Sequence, residues 1–385
     1  MHGGQIRLAE IVAAYRRSGG EVRVCSVFDQ APYASQRYGQ YDHVYPSQST
    51  FRQWKGQAVP LIDDLTAGNY AAQDPDAYQA LTAHLPASVD VLHFEQPWLL
   101  PLVLRWRHEG RLKGTRLVYG SQNIEAALKA SILHQYKIAQ VDAIAEEIAR
   151  LERSACEVAD LTLAVSESDR QVLQGYTTNP VVLAANGIAA WKASDSAIQH
   201  WKTQLPAASF ALFVGSAHPP NISGFFDVFG EALGFIPPDT RLVVAGSVGP
   251  HLLTHPRFQC WLPLNQSRIQ VLGMVEDAAL SAIKTLAHVF VLPITEGGGS
   301  NIKTAEALYS GAHVVGTPVS FRGFDGFLTL PGVHQHAQPA DFRQDVARLL
   351  HAPSPAKEPA SEAHRQTLLW SHTLACLEGV VSGQY

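Results

Sequence analysis

The sequence has no apolar run of the ~18 residues that a membrane-crossing helix requires, so no membrane-spanning helix is expected in it. The first residues, MHGGQIRLAEIV, lack the charged-then-apolar order of a signal peptide, and no export by a signal of its own is expected. Cysteine is scarce. Cys25, Cys156, Cys260 and Cys376 each stand more than a hundred residues from the next, which removes CxxC pairs and zinc-type Cys/His clusters. A reducing, cytoplasmic setting is the expectation. Positive charge is not in surplus either: 29 Lys and Arg face 34 Asp and Glu, for a net charge of −5. No domain-wide basic footprint exists to hold a nucleic-acid backbone by counterion release. Short tandem repeats and low-complexity tracts are also missing, which excludes a solenoid.

What is present suits buried cores. Hydrophobic residues make up 46% of the chain and charged residues 16%, and 385 residues accommodate two domains of roughly 100 to 200 residues each. Short β-branched runs at 21–28, 89–94, 115–120, 161–165 and 181–184 read as buried strands. Between them, helix-like spacing covers Ile6 to Arg17 and a long stretch from about Ile124 to Val158. After a polar, strand-poor connection over 187–208 the alternation starts again, with strands expected at 210–216, 241–247, 269–275, 289–294 and 312–317. Helices are expected at Ser223–Phe235, Asp277–Ala287, Asn301–Ser310 and Ala340–His351, then a loop over Pro353–Glu362 and a last helix over about 362–381. Strand–helix alternation implies parallel sheets, hence an α/β protein of two doubly wound, Rossmann-like domains facing a cleft. The first spans 1–190, joined by the C-terminal helix at about 366–385, and the second spans 207–365.

The segment VFVLPITEGGGSNIKTAEALYSGAHVVGTP, residues 289–318, runs from a buried strand through three glycines into a helix. Glycine permits close backbone approach, Ser300 or Asn301 can cap the helix, and the N–H groups of its first turn favour a phosphate. Lys303 and Glu306 are three apart and share one face, while Ile302, Ala305 and Leu308 form an apolar stripe for the sheet. A glycine loop beside a solvated Lys–Glu pair is the plainer reading of the same residues.

The string Gly298-Gly299-Ser300-Asn301-Ile302-Lys303-Thr304-Ala305-Glu306 resembles the donor-binding signature of the GT-B glycosyltransferases, in particular the retaining family 4. Further pieces fall in that family's order. They are Gly3-Gly4 with Arg7, Val89 to Glu95, Gln122-Asn123-Ile124-Glu125, Ser166-Glu167, Asn186-Gly187, and Gly215-Ser216 with Pro219-Pro220-Asn221. The resemblance implies a glycosyltransferase that takes a nucleotide-sugar donor in its C-terminal domain. Glu306 would meet the ribose hydroxyls and Lys303 the diphosphate, with Gly298, Gly299, Ser300, Asn301, Gly215 and Ser216 completing the donor site. A lysine and a helix N-terminus can stabilise a leaving diphosphate without a metal, so no metal and no cofactor are expected. His93 and Glu95 at a strand end are the further catalytic candidates, and Gly3, Gly4, Gln122 and Asn123 lie on the acceptor or phosphate side. Retention of configuration and a glycan or lipid-linked acceptor, in polysaccharide biosynthesis, also follow from the resemblance alone.

Several features depart from the family. No cation follows Gly215, where relatives often carry an arginine and a lysine. The first glutamate of the family's paired motif is Gly298 here, with Glu296 shifted by two, and Gln122 stands where relatives often have histidine. No buried strand stands ahead of Gly3-Gly4, where the family has its first one, so the expectation is either a true start upstream or a rearranged N-terminal sheet. A non-catalytic sugar-nucleotide-binding or partner subunit, or a GT-B nucleotide-sugar epimerase, is the alternative. The D-x-D string Asp74-Pro-Asp76 reads as a loop rather than a metal site. The basic run from Arg105 to Arg116 around Trp106 could give peripheral contact with anionic lipid at the inner face of the membrane, although a solvated helix end is the favoured reading.

Overall fold

The computed structural model describes residues 3–29, 39–296 and 301–384. The chain divides into two units, Met1–Ala185 with Leu374–Tyr385, and Asn186–Thr373. In the first unit, β1 (Val27–Asp29) and β2 (His43–Tyr45) pair in parallel, and β3 (Gln53–Trp54) and β4 (Gln57–Ala58) form a small hairpin. The main sheet is parallel, in the order β5 (Val91–Glu95), β6 (Arg116–Gly120), β7 (Leu161–Ala164) and β8 (Val181–Leu183). Every residue of β7 is buried, as expected of a parallel strand covered on both faces. The expectation of a missing first strand concerns the chain ahead of Gly3, which lies outside the described residues.

The second unit holds six parallel strands: β9 (Phe210–Val214), β10 (Arg241–Ala245), β11 (Ile269–Gly273), β12 (Val289–Leu292), β13 (His313–Gly316) and β14 (Val333–Gln335). Their spatial order is β11-β10-β9-β12-β13-β14. That is the doubly wound order 3-2-1-4-5-6, with its topological switch between β9 and β12. Successive residues of β9 feed opposite cores: Phe210 and Leu212 pack with Ala305 and Leu308, whereas Ala211 and Phe213 pack with Phe225 and Phe229. A continuous apolar run is therefore what this strand requires.

The structure corrects several expected elements. Residues 21–26 do not join a sheet, and only Val27–Asp29 is paired, against β2. The long helix from 124 to 158 is two, Glu125–Gln135 and Val141–Val158, because Lys137 adopts φ 57 and the amide of Ile138 turns back to the carbonyl of Leu133. The connection after Gly187 contains a helix, Asp195–Gln204, whose first turn is capped by Ser194 Oγ accepting from the Ala197 amide. The helix expected at 223–235 runs over Pro219–Phe229, with prolines at its first positions and Gly230 at φ 77 after its end. The last helix breaks into Pro359–Gln366, Trp370–Thr373 and Cys376–Ser382, since the backbone at 368–370 pairs with Ile188 instead of continuing the helical ladder. The short strand β14 was not expected at all.

A buried carboxylate ties the two helices of the first unit together. Glu152 accepts from the amides of Glu125 at 2.6 Å and Ala126 at 3.0 Å, so helix Val141–Val158 caps the start of helix Glu125–Gln135. Burial pushes the Glu152 carboxyl up to about 7 against those two hydrogen bonds. A carboxyl raised in the folded state stabilises it less as pH climbs from the unfolded value to the folded one. Relative to Glu152→Gln, the wild-type protein is therefore expected to lose thermal stability between about pH 4.5 and 7, which parallel melting curves would show.

Candidate functional site

The switch point of the second sheet is where a doubly wound fold opens a crevice at its strand ends. Two loops arrive there. The turn after β9 carries Gly215 and Ser216, and helix Ile302–Tyr309 stands beyond the loop after β12. Gly298, Gly299 and Ser300 of that loop lie outside the described residues. Asn301 occupies the position before the helix, where its side chain makes no capping bond and its Nδ2 is buried with no partner among the described residues.

Asn221, in the first turn of helix Pro219–Phe229, connects the two sides of the switch. Its Nδ2 donates to the carbonyl of Ser216 at 2.9 Å, and its Oδ1 accepts from Lys303 Nζ at 2.7 Å. This helix sits so close to the segment after β12 that a side chain at Gly224 would collide with the carbonyl of Pro293. Loss of hydration pushes the Lys303 ammonium down to about 8, partly opposed by Glu306. The lysine is thus a partly dehydrated cation held by a neutral amide, which favours an incoming anion. No cation was expected after Gly215, and Asn221 is the group that stands there.

Lys303 and Glu306 share a helix face but not an ion pair. Glu306 Oε1 accepts instead from Lys284 Nζ at 2.7 Å, and Lys284 is 7% exposed at its side chain. The Lys284 ammonium also lies 4.6 Å over the ring of Trp191, which meets Tyr309 edge-on at 4.9 Å. Sequence reading missed Lys284. The available signal was a lysine interrupting the apolar stripe of Leu280, Ile283 and Ala287.

In the first unit the strand-end candidates form a closed network. His93 Nε2 contacts Glu95 Oε1 at 2.8 Å, and its Nδ1 contacts Tyr15 Oη at 3.0 Å. Glu95 Oε2 accepts from Gln122 Nε2 at 2.8 Å and lies 3.7 Å from Arg7 Nε. Burial alone would raise the Glu95 carboxyl, but the His93 hydrogen bond and the Arg7 charge hold it below the usual range. Arg7, 1% exposed, extends the network to the carbonyl of Ala184 at 2.7 Å. Both His93 nitrogens are engaged, so the histidine and glutamate serve each other first. Gly3 and Gly4 open the helix Gly3–Arg17 that delivers Arg7 and Tyr15. Asn123 turns away and donates to Glu125 Oε1 at 3.2 Å.

The network fits only because Gly120 lies beside it, since a Cβ there would collide with Glu95 Oε1 and stand 2.7 Å from His93 Nε2. Gly120→Ala is expected to cost about 2 kcal/mol, as overpacking does where the neighbours are held and cannot yield. Urea titration of the variant checks this, and a change within error would mean that the network moves aside freely.

Other singled-out residues have structural duties. Asp74 caps helix Pro75–Ala83 through the Ala77 amide at 3.0 Å, and no cluster of three or more metal-binding side chains occurs among the described residues. Trp106 is buried with its indole N–H on Thr82, Arg105 and Arg111 pair with Glu109, and Arg116 donates to the carbonyl of Val380. No helix among the described residues is long and apolar enough to cross a membrane.

Residues 209–352 match the family described as glycosyl transferases group 1, and residues 1–190 match glycosyltransferase family 4. No curated protein matches the sequence. Among solved structures, a sucrose-phosphate synthase from Thermosynechococcus elongatus superposes with a TM-score of 0.62 at 14% identity, covering 100% of this chain and 93% of its own. HepE from Anabaena, solved in complex with UDP and glucose, gives 0.61 at 16% identity, covering 99% and 96%. WaaG, a glycosyltransferase involved in lipopolysaccharide biosynthesis, gives 0.58 at 15% identity, covering 100% and 97%. At these identities the structural likeness concerns the fold.

Proposed function

We propose that this chain, which belongs to the group 1 glycosyltransferases of the GT-B fold, binds a nucleoside-diphosphate sugar at the switch point of its second unit and transfers the sugar with retention to a glycan or lipid-linked acceptor. The observation that carries the donor site is the Lys303–Asn221 contact, which sets a partly dehydrated cation between the two strand-end loops. HepE has been solved with UDP-glucose, which supports a nucleotide-sugar donor for this chain also. Lys303 would neutralise the leaving diphosphate, Glu306 would accept from the ribose, and the amides around Asn301 would complete the phosphate grip. Charge development on the leaving group needs no metal in this scheme. In the first unit, Arg7 and Gln122 would hold Glu95 and His93 in one orientation for an acceptor. We place the reaction in the cytoplasm, in the assembly of a surface polysaccharide.

The experiment is a thermal-shift and hydrolysis screen of the full chain against UDP-, GDP-, ADP- and dTDP-sugars, since a ligand of the native state raises its stability. A shift with one base, accompanied by slow release of free sugar, fixes the donor. Conversion of one nucleotide sugar into another without release would indicate an epimerase instead. No shift with any of them would remove the donor reading.

A further inference from the structure

The carboxylate of Glu306 cannot meet a ligand with both oxygens equally. Oε1 is committed to Lys284 at 2.7 Å, whereas no hydrogen bond reaches Oε2 among the described residues and the side chain is 25% exposed. Three separate segments fix this asymmetry: helix Asp277–Leu286 supplies Lys284, helix Ile302–Tyr309 supplies Glu306, and Trp191 covers the Lys284 ammonium. A glutamate on a helix surface would otherwise sample several rotamers at a cost in ordering. Here the buried lysine holds one of them.

We propose that Lys284 is a positioning residue which leaves Glu306 Oε2 as the acceptor for the ribose diol, and thereby selects ribonucleotide over 2′-deoxyribonucleotide donors. The proposal rests on the reading of Glu306 as the ribose contact. An ionised oxygen with two open acceptor directions matches two neighbouring hydroxyls, and a 2′-deoxyribose supplies only one. A site built to bond a hydroxyl rejects the analogue that lacks it, because its polar group is then left short of a donor. If Oε1 were also open, the carboxylate could rotate and satisfy itself with one hydroxyl and water, and the selection would weaken.

The test compares the affinities of UDP with 2′-deoxy-UDP, ADP with 2′-deoxy-ADP and GDP with 2′-deoxy-GDP for the full chain and for Lys284→Met and Lys284→Arg. For the base that binds, the wild-type protein should prefer the ribonucleotide by about tenfold or more. Lys284→Met should bring that ratio towards unity by freeing the carboxylate. Lys284→Arg should do the same while keeping the charge, because a guanidinium fork tends to take both carboxylate oxygens. A general loss of stability weakens both sugars alike and leaves the ratio where it was. The proposal is overturned if the wild-type protein shows no preference, if every folded variant keeps the wild-type ratio, or if neither variant folds, which would make Lys284 structural. Absence of any nucleotide binding by the wild-type protein would overturn the donor reading as well.

Discussion

Replacing Lys303 by alanine or methionine is expected to lower donor turnover by about two to three orders of magnitude, the usual effect of removing one group aimed at developing negative charge. The ammonium is held by Asn221 at 2.7 Å, so its position does not depend on the donor being present. Its acidity adds a second signature. Only the protonated lysine can compensate a diphosphate, so kcat/KM for the donor should fall as pH rises through about 8, and this limb should vanish in the variants. Stability moves the other way. The folded-state value lies below that of the unfolded chain, so between about 8 and 10.5 the unfolded chain holds more protons and stability increases with pH, while the penalty is complete below 8. At pH 7 Lys303→Met should therefore melt no lower than the wild-type protein, and about 1 kcal/mol of added stability is expected. Unchanged turnover in a folded Lys303→Ala protein would remove the lysine from the mechanism.

Glu306→Ala should do far more than weaken donor binding. It strands the Lys284 ammonium, which is 7% exposed, without its counter-charge. Breaking a buried pair by removing one member typically costs about 3 kcal/mol or more, and a loss of roughly 6 to 12 °C in melting temperature follows for a unit of this size. Glu306→Gln should cost less, since the amide oxygen still accepts from Lys284. The double variant Lys284→Met, Glu306→Ala should recover most of the loss, because no charge is left stranded. Calorimetry on the four proteins reads this directly. If the single and double variants melt together, the pair contributes nothing and the lysine reaches water by another route. The practical consequence is that lost binding in Glu306→Ala cannot by itself report on the ribose, whereas Glu306→Gln can.

The strands of the second unit were legible because both of their faces are buried, so each appears as an unbroken apolar run between turn residues. The stretch 21–28 looked the same, but pairing, not composition, makes a strand, and its residues 21–26 find no ladder. Lys303 and Glu306 were singled out by a linear motif. Their partners were not, since Asn221 is 82 positions from Lys303 and Lys284 is 22 from Glu306. Spacing on one helix suggested that Lys303 and Glu306 pair with each other. Packing decided otherwise, because each side chain meets a group on a different neighbouring helix. In the first unit, Gly120 carries no signal of its own, and its importance follows only from the carboxylate of the adjacent strand.

Residues 374–385 group with the first unit, while the whole of the second unit lies between them and residue 185. The second unit is thus an insertion within the first in chain order. During synthesis its sheet is complete in sequence before the segment that finishes its predecessor has left the ribosome. Leu374, Leu377 and Val380, all buried, arrive after the second unit, and the carbonyl of Val380 accepts from Arg116 at 3.1 Å. A stop codon just ahead of Leu374 would therefore injure the unit built from residues 3–185, although the second unit lies between them in the chain.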